Sequence, residues 1–201
     1  TYAAAIDKLN FSYNEITSPV NLQGEIAVSD ENISLKEIAI AHDRSTVNLD
    51  GNLSYENTEK LLSNFEFTDF DLEINESNIS RSTFDQVADL VGVDTQSLPI
   101  EQVQIEAHLN GNSESLELDQ LQLLSGRSSL EIEGKTTLIE DSLWPKEVNL
   151  KKLIVDFRSE DFEPLLSRFE MNPTLIPSFL TLNANGSGTG DSLFADGMLS
   201  T

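Results

Sequence analysis

Apolar and polar residues alternate along most of this chain with a period of two. In residues 46–55, one side of an extended backbone would be apolar, through Val47, Leu49, Leu53 and Tyr55. The same alternation recurs over residues 103–110 and 130–133. It is typical of strands that bury only one face, as the strands of antiparallel sheets do. The sequence therefore predicts an all-β, antiparallel fold.

Two segments depart from this rhythm and predict short helices. Residues 82–91 carry apolar side chains at helical spacing, with Ser82 in a position to act as N-cap. Residues 159–169 begin with acidic residues and Pro164, which favour the first turn of a helix. Each segment is followed by an X-Pro pair and a new strand.

The order of these pieces indicates an internal repeat. Residues 121–134 match residues 38–51, and residues 180–193 match residues 103–116. Each unit would consist of strands, a glycine turn, more strands and a short helix. We predict one elongated β-repeat region over residues 1–201, with units at 20–97 and 98–175 and a third unit from 176.

The composition restricts the possible partners. The chain has 35 acidic and 12 basic residues and a net charge of −23. This charge repels phosphate backbones, so we expect no nucleic-acid partner, and it favours a soluble monomer. The absence of cysteine excludes disulfides and thiolate sites. No apolar run approaches the ~20 residues of a membrane helix, and we expect the chain to be the middle part of a longer protein.

The sequence contains no recognisable catalytic or metal-binding motif. We interpret His42 and His108 as surface residues, because their spacing suits no metal site. The acidic segments match no EF-hand, and residues 186–190 lack the Lys-Ser/Thr of a phosphate loop. The G-x-S-x-G nucleophile motif is absent too. We expect no catalytic residue, cofactor or metal, and no enzyme activity.

Three stretches carry a resemblance to a known family. They are the strand pair 116–134, residues 72–80 with the helix and Leu98-Pro99 that follow, and the glycine-rich run 186–201. In this order they resemble the TamB branch of the AsmA-like envelope proteins of Gram-negative bacteria. That family repeats a unit of strand, small polar turn, strand and glycine.

The resemblance implies a curved sheet folded into an open, taco-like groove. It implies a periplasmic segment of an elongated protein that is anchored in the inner membrane and takes part in outer-membrane biogenesis. The implied role is phospholipid transport between membranes, or the translocation and assembly of outer-membrane proteins. The implied partners are a phospholipid or other amphiphile in the groove and a TamA-like outer-membrane barrel.

The strands would contribute apolar side chains to the lining of this groove. Their expected role is passive, since they offer hydrocarbon-like surface to an acyl chain. The predicted lining residues are Val47, Leu49, Leu53, Phe65, Phe67, Val103, Ile105, Leu109, Leu130, Ile132, Leu180 and Leu182. The alternatives are an extracellular adhesin or scaffold of stacked β-sandwiches with a sealed core and, third, an acidic hydrolase.

Overall fold

A computed structural model describes residues 2–11, 19–57, 68–90, 101–138, 145–162, 177–189 and 192–201. Most of these residues belong to one antiparallel sheet of eleven strands, which is open and not closed into a barrel. The predicted all-β, antiparallel fold class is confirmed. The strands are β1 (Tyr2–Phe11), β2 (Val20–Val28), β3 (Asn32–His42), β4 (Ser45–Ser54), β5 (Asp69–Ser80), β6 (Gln102–Gly111), β7 (Ser115–Ser125), β8 (Ser128–Leu138), β9 (Pro145–Arg158), β10 (Phe179–Thr189) and β11 (Ser192–Ser200).

One helix and one helical turn follow two of these strands. Helix α1 (Arg81–Leu90) begins directly after β5, where the backbone N–H of Arg81 donates to the carbonyl of Glu101. It starts one residue earlier than expected, so Ser82 lies in its first turn and not at the N-cap. A 3-10 turn (Ser159–Phe162) begins the second predicted helix, and residues 163–169 lie outside the described residues. None of the helical segments described has the length and apolar character to cross a bilayer.

The strands are arranged in sequence order, each pairing with the strands before and after it in the chain. Two of the connections are described two-residue turns, Asp43-Arg44 between β3 and β4 and Gly126-Arg127 between β7 and β8. The first residue of each turn has a positive φ, +52° for Asp43 and +61° for Gly126. Aspartate tolerates this conformation and glycine adopts it without steric cost.

Alternate strands of the sheet carry a bulge. Strands β1, β3, β5, β7 and β9 each have one more residue than their partners near mid-strand, and β2, β4, β6, β8 and β10 have none there. The bulged positions are polar pairs: Asp7-Lys8, Lys36-Glu37, Asn75-Glu76, Asp119-Gln120 and Lys151-Lys152.

The bulges keep the apolar residues of each strand on one face. Strand β3 places Ile33 and Leu35 on the same side as Ile38 and Ile40, although the spacing between the two pairs is odd. The extra residue, Glu37, adopts φ +51°, and its N–H donates to the Asp50 carboxylate at 2.7 Å. Since a bulge bends and twists its strand, five bulges side by side curve the sheet along one line.

The sheet buries few of its apolar residues completely. The chain exposes 13403 Å² of surface, whereas a compact monomer of its mass would expose roughly 9,400 Å². In the described part of the chain, the fully buried apolar residues are Val20, Ile38, Tyr55, Val103, Ala107 and Ala184. Most other residues of the apolar face are half-buried.

Candidate functional site

The strand register aligns apolar residues into rows that run across the sheet at right angles to the strands. Two rows border the bulges and extend from β2 to β11. The first row consists of Leu22, Ile40, Val47, Ser77, Ile105, Leu123, Leu130, Val155, Leu182 and Leu199. The second row consists of Gly24, Ile38, Leu49, Ile74, Ala107, Leu121, Ile132, Leu153, Ala184 and Gly197.

These two rows form the centre of one continuous apolar face. Neighbouring strands lie about 4.8 Å apart, so a row of ten strands extends for roughly 43 Å. Ser77 is the only hydroxyl in the two rows and is 1% exposed. Its Oγ accepts from the N–H of Asn48 at 2.9 Å and donates to the carbonyl of Asn75. The hydroxyl is therefore satisfied within the bulge and adds little polarity to the face.

Ten of the twelve predicted lining residues lie on this face. Val47, Ile105, Leu130 and Leu182 are in the first row, and Leu49 and Ile132 are in the second. Leu53, Val103, Leu109 and Leu180 flank the two rows on the same side of the sheet. Phe65 and Phe67 lie outside the described residues. That these side chains line a groove for lipid remains a prediction.

The prediction missed the contribution of the bulged strands to the face. The omitted residues are Ile38, Ile40, Ile74, Leu121, Leu123, Leu153 and Val155. Their apolar spacing changes from two to three at each bulge, so strict alternation breaks down. A pair of polar residues between two apolar strand segments, such as Lys36-Glu37, is the signal that could have revealed them.

Helix α1 lies at one end of the apolar face, against β3 and β4. Ser45 is 4% exposed and donates to Thr83 Oγ1 at 2.8 Å. The ring Nε2 of His42 lies 3.3 Å from Gln86 Oε1. Since His42 is only 9% exposed, the interpretation of this histidine as a surface residue was wrong. Its position near a turn concealed that it continues the inward-facing set of β3 under the helix.

The 3-10 turn holds the same end of the sheet at β7 and β8. Asp161 Oδ2 accepts from the hydroxyl of Ser128 at 2.7 Å and from the N–H of Arg127 at 2.9 Å. The hydroxyl of Ser128 itself accepts from the N–H of Arg158 at 3.0 Å. Two helical elements, α1 and this turn, therefore border the apolar face at one end.

The opposite face of the sheet is polar and charged. Lys151 donates to Glu117 at 2.5 Å, which holds the pKa of Glu117 below its usual range and raises the pKa of the lysine. Glu131 and Glu133 raise the pKa of Lys152 by accepting its hydrogen bonds. These solvent-exposed pairs contribute little to stability individually. They define this side as the polar face.

His108 lies on the polar face, as expected, between two carboxylates. Its Nε2 is 2.7 Å from Asp71 Oδ1, and its Nδ1 is 3.3 Å from Asp119 Oδ2. The described residues nevertheless contain no group of three or more His, Asp or Glu side chains arranged to hold a metal ion. These contacts connect β5, β6 and β7 on the polar face.

The chemistry available on the apolar face is the burial of hydrocarbon. Its side chains are aliphatic, lie in continuous rows and are partly open to solvent. Comparison with known proteins adds no family to this picture: no protein-family model, curated protein or solved structure matches the chain. The sheet itself and the sequence resemblance are therefore the only pointers to function.

Proposed function

We propose that this chain is a non-enzymatic segment of a TamB/AsmA-like envelope protein, and that its apolar face accommodates the acyl chains of phospholipid or another amphiphile. The observation that carries the proposal is the continuity of the two apolar rows from β2 to β11. Most residues of these rows are half-buried, which leaves hydrocarbon surface for a ligand.

The energetics of hydrocarbon transfer suit this role. Exposing an acyl chain to water costs about 0.8 kcal/mol per CH₂, or roughly 10 kcal/mol for a fatty chain. An apolar row removes most of that cost wherever the chain lies. Because leucine, isoleucine and valine recur at each strand, a lipid that moves by one strand exchanges similar contacts. The barrier to sliding is therefore small, and no catalytic residue is needed.

The cellular setting follows from the resemblance and is part of the proposal. Such a segment would act in the periplasm, within a protein anchored in the inner membrane. A TamA-like outer-membrane barrel would be the protein partner, and support for the assembly of outer-membrane proteins would be a further role of the same groove. The net charge of −23 supports a monomeric segment without affinity for nucleic acid.

The described strands give no support to the sandwich alternative. A stack of sandwiches needs a second sheet against the apolar face, and every described strand belongs to one sheet. No arrangement of described side chains favours a hydrolase either.

Site-specific photocrosslinking in cells tests the proposal. A photoreactive amino acid at Ile105 or Ile132 lies in one of the two rows, and its matched control at Glu106 or Glu131 lies on the polar face. We expect phospholipid to be captured from Ile105 and Ile132 and not from the controls. Equal capture from both faces, or capture from the controls alone, would contradict the groove.

An arginine in the groove gives an independent test. Ile105→Arg or Ile132→Arg places a charge among hydrocarbon side chains, which an acyl chain cannot cover without desolvating it. We expect these variants to be produced and to lose co-purifying lipid in native mass spectrometry, whereas Glu106→Arg retains it. A wild-type chain that never carries lipid, under conditions that preserve other lipid complexes, would overturn the proposal.

A further inference from the structure

A shallow trough on the polar face lies over the last four strands, β8 to β11. Three depressions, of about 470, 500 and 480 Å³, adjoin one another: the first shares Asn149, Ser187 and Phe194 with the second, and Asn185 and Asp196 with the third. Phe194 is opposite Ser187, and Ser187 is opposite Asn149, in one line across β11, β10 and β9. The trough follows the length of β11, which is about 26 Å.

The trough carries little net charge, unlike the chain as a whole, and both of its lysines, Lys135 and Lys151, also contact Glu117 beside it, at 3.6 and 2.5 Å. Its charged residues are Lys135, Lys151, Glu147 and Asp196, two of each sign, in a chain with a net charge of −23. The surrounding negative field repels anionic ligands. The interactions that the trough itself offers are stacking and hydrogen bonding, which an uncharged ligand can satisfy.

Several amide and hydroxyl groups in the trough are available to a ligand. Within the part of the chain that the structure describes, Asn149, Asn185 and Ser187 make no side-chain hydrogen bond. Elsewhere on the polar face, Asn75 donates to Asp50, and Asn110 donates to Asp119 at 2.6 Å. The trough thus presents unused donors and acceptors along a line, where the neighbouring strands have paired theirs.

An exposed aromatic ring lies among these polar groups. Phe194 is 74% exposed, although an exposed phenyl ring gains nothing from contact with water. A flat apolar ring flanked by amides and hydroxyls matches a sugar ring, which has apolar C–H faces and a polar rim. We propose that this trough binds a neutral polysaccharide strand whose sugar rings carry hydroxyl and acetamido groups. The site lies on the face opposite the apolar rows and does not depend on the proposed lipid role.

Titration of the full chain with chitohexaose and with cellohexaose tests this proposal. We expect saturable binding with a dissociation constant of ~1 mM or lower, and NMR shifts confined to β8, β9, β10 and β11. Phe194→Ala should weaken binding about tenfold, since it removes the stacking surface. Asn185→Ala should weaken binding by a smaller factor than Phe194→Ala. Its effect should be larger for chitohexaose than for cellohexaose, because the acetamido groups of chitohexaose can hydrogen-bond with the Asn185 amide. Leu124→Ala, an apolar deletion elsewhere on the polar face, is the matched control and should leave binding unchanged.

Three results would overturn the proposal. One is the absence of saturable binding to either glycan. The second is binding that Phe194→Ala and Asn185→Ala leave unchanged while circular dichroism shows both variants folded. The third is self-association of the wild-type chain that Phe194→Ala abolishes without any glycan-dependent NMR shift, since Phe194 would then serve contact between copies of the chain.

Discussion

Two four-strand groups of the sheet end in the same hydrogen-bonded junction, built from different residues. Strands β2–β5 lead into α1, and β6–β9 lead into the 3-10 turn. A buried serine begins the third strand of each group, Ser45 in the first and Ser128 in the second. The first hydroxyl accepts from the N–H of Ser80 at 2.8 Å and the second from that of Arg158 at 3.0 Å. Each hydroxyl also donates to a side chain that lies three residues after its N–H partner. Ser45 donates to Thr83, and Ser128 donates to Asp161.

The two junctions differ in where the carboxylate lies. In the first group, Asp43 of the hairpin turn accepts a hydrogen bond from Ser82 of the helix. In the second group, the turn begins with Gly126, and Asp161 of the 3-10 turn accepts from the N–H of Arg127. The helical side donates in one case and accepts in the other. Both junctions therefore contain a hydrogen bond between the hairpin turn and the helical element, and the accepting carboxylate can belong to either of these two elements.

The largest expected effect is on stability and concerns substitutions at two glycines that occupy corresponding places in the two groups. A Cβ at Gly51 would lie 2.5 Å from the carbonyl oxygen of Asp71, and one at Gly134 would lie 2.8 Å from that of Asn149. Crowding of this kind costs about 1–3 kcal/mol. We expect Gly51→Val to lower the free energy of unfolding by an amount near the top of that range and Gly134→Val by less. Urea unfolding followed by circular dichroism measures both.

The matched control for this pair is Asn52→Val, beside Gly51 on the polar face. An exposed substitution of this kind should change stability by less than about 0.5 kcal/mol. If Gly134→Val lowered the free energy of unfolding as much as Gly51→Val, the shorter Cβ–oxygen distance at Gly51 would not determine the loss of stability.

A medium effect is expected at the two junction serines. Ser45→Ala leaves the buried N–H of Ser80 without its acceptor, and Ser128→Ala does the same to the half-buried N–H of Arg158, at a cost of about 1–3 kcal/mol. Ser128→Ala should cost more because its hydroxyl donates to a carboxylate. The double variant should show the sum of the single effects, since the two sites share no hydrogen-bond partner. Strong non-additivity in urea unfolding would mean that the two junctions are coupled. The control is Ser113→Ala, at an exposed serine.

The smallest effect concerns the pH dependence of the first junction. The hydrogen bond from Ser82 lowers the pKa of Asp43, so ionised Asp43 favours the folded state. This contribution is present above the ordinary aspartate pKa near 3.9 and is lost as the pH falls through the lowered value. Asp43→Asn should therefore shift the urea midpoint slightly at pH 7 and not at pH 2. A difference that persists at pH 2 would assign the effect to shape and not to charge.

Much of the fold could be predicted because one-sided strands carry a local signal. Val103 to Leu109 alternate without interruption in β6, and the sequence identified them directly. Bulged strands such as β7 lack that regularity, since Leu118 and Leu121 share a face at a spacing of three. The register of a bulge depends on the neighbouring strand, and its position is not encoded by alternation alone.

The candidate site was predictable for the same reason and to the same extent. Residues on regular strands, such as Leu130 and Ile132, were found on the apolar face. Burial of His42 escaped the sequence because it depends on α1 folding back over the end of β3, a tertiary contact made by Gln86. The polar trough was equally hidden, since β9, β10 and β11 bring its amide and hydroxyl groups together only through their register.

The sequential order of the strands makes the sheet behave as a linear array. Removing an outermost hairpin deletes two sets of hydrogen bonds, the one within the hairpin and the one to the next strand, and leaves every other pairing intact, because no described strand is inserted between distant parts of the chain. In a sheet of this topology, opening should begin at whichever strands lie at its edges, and amide exchange should slow with distance from an edge. Such a sheet can gain or lose whole hairpins during evolution, and its span changes in steps of about 10 Å per hairpin while the path along its apolar side remains unbroken.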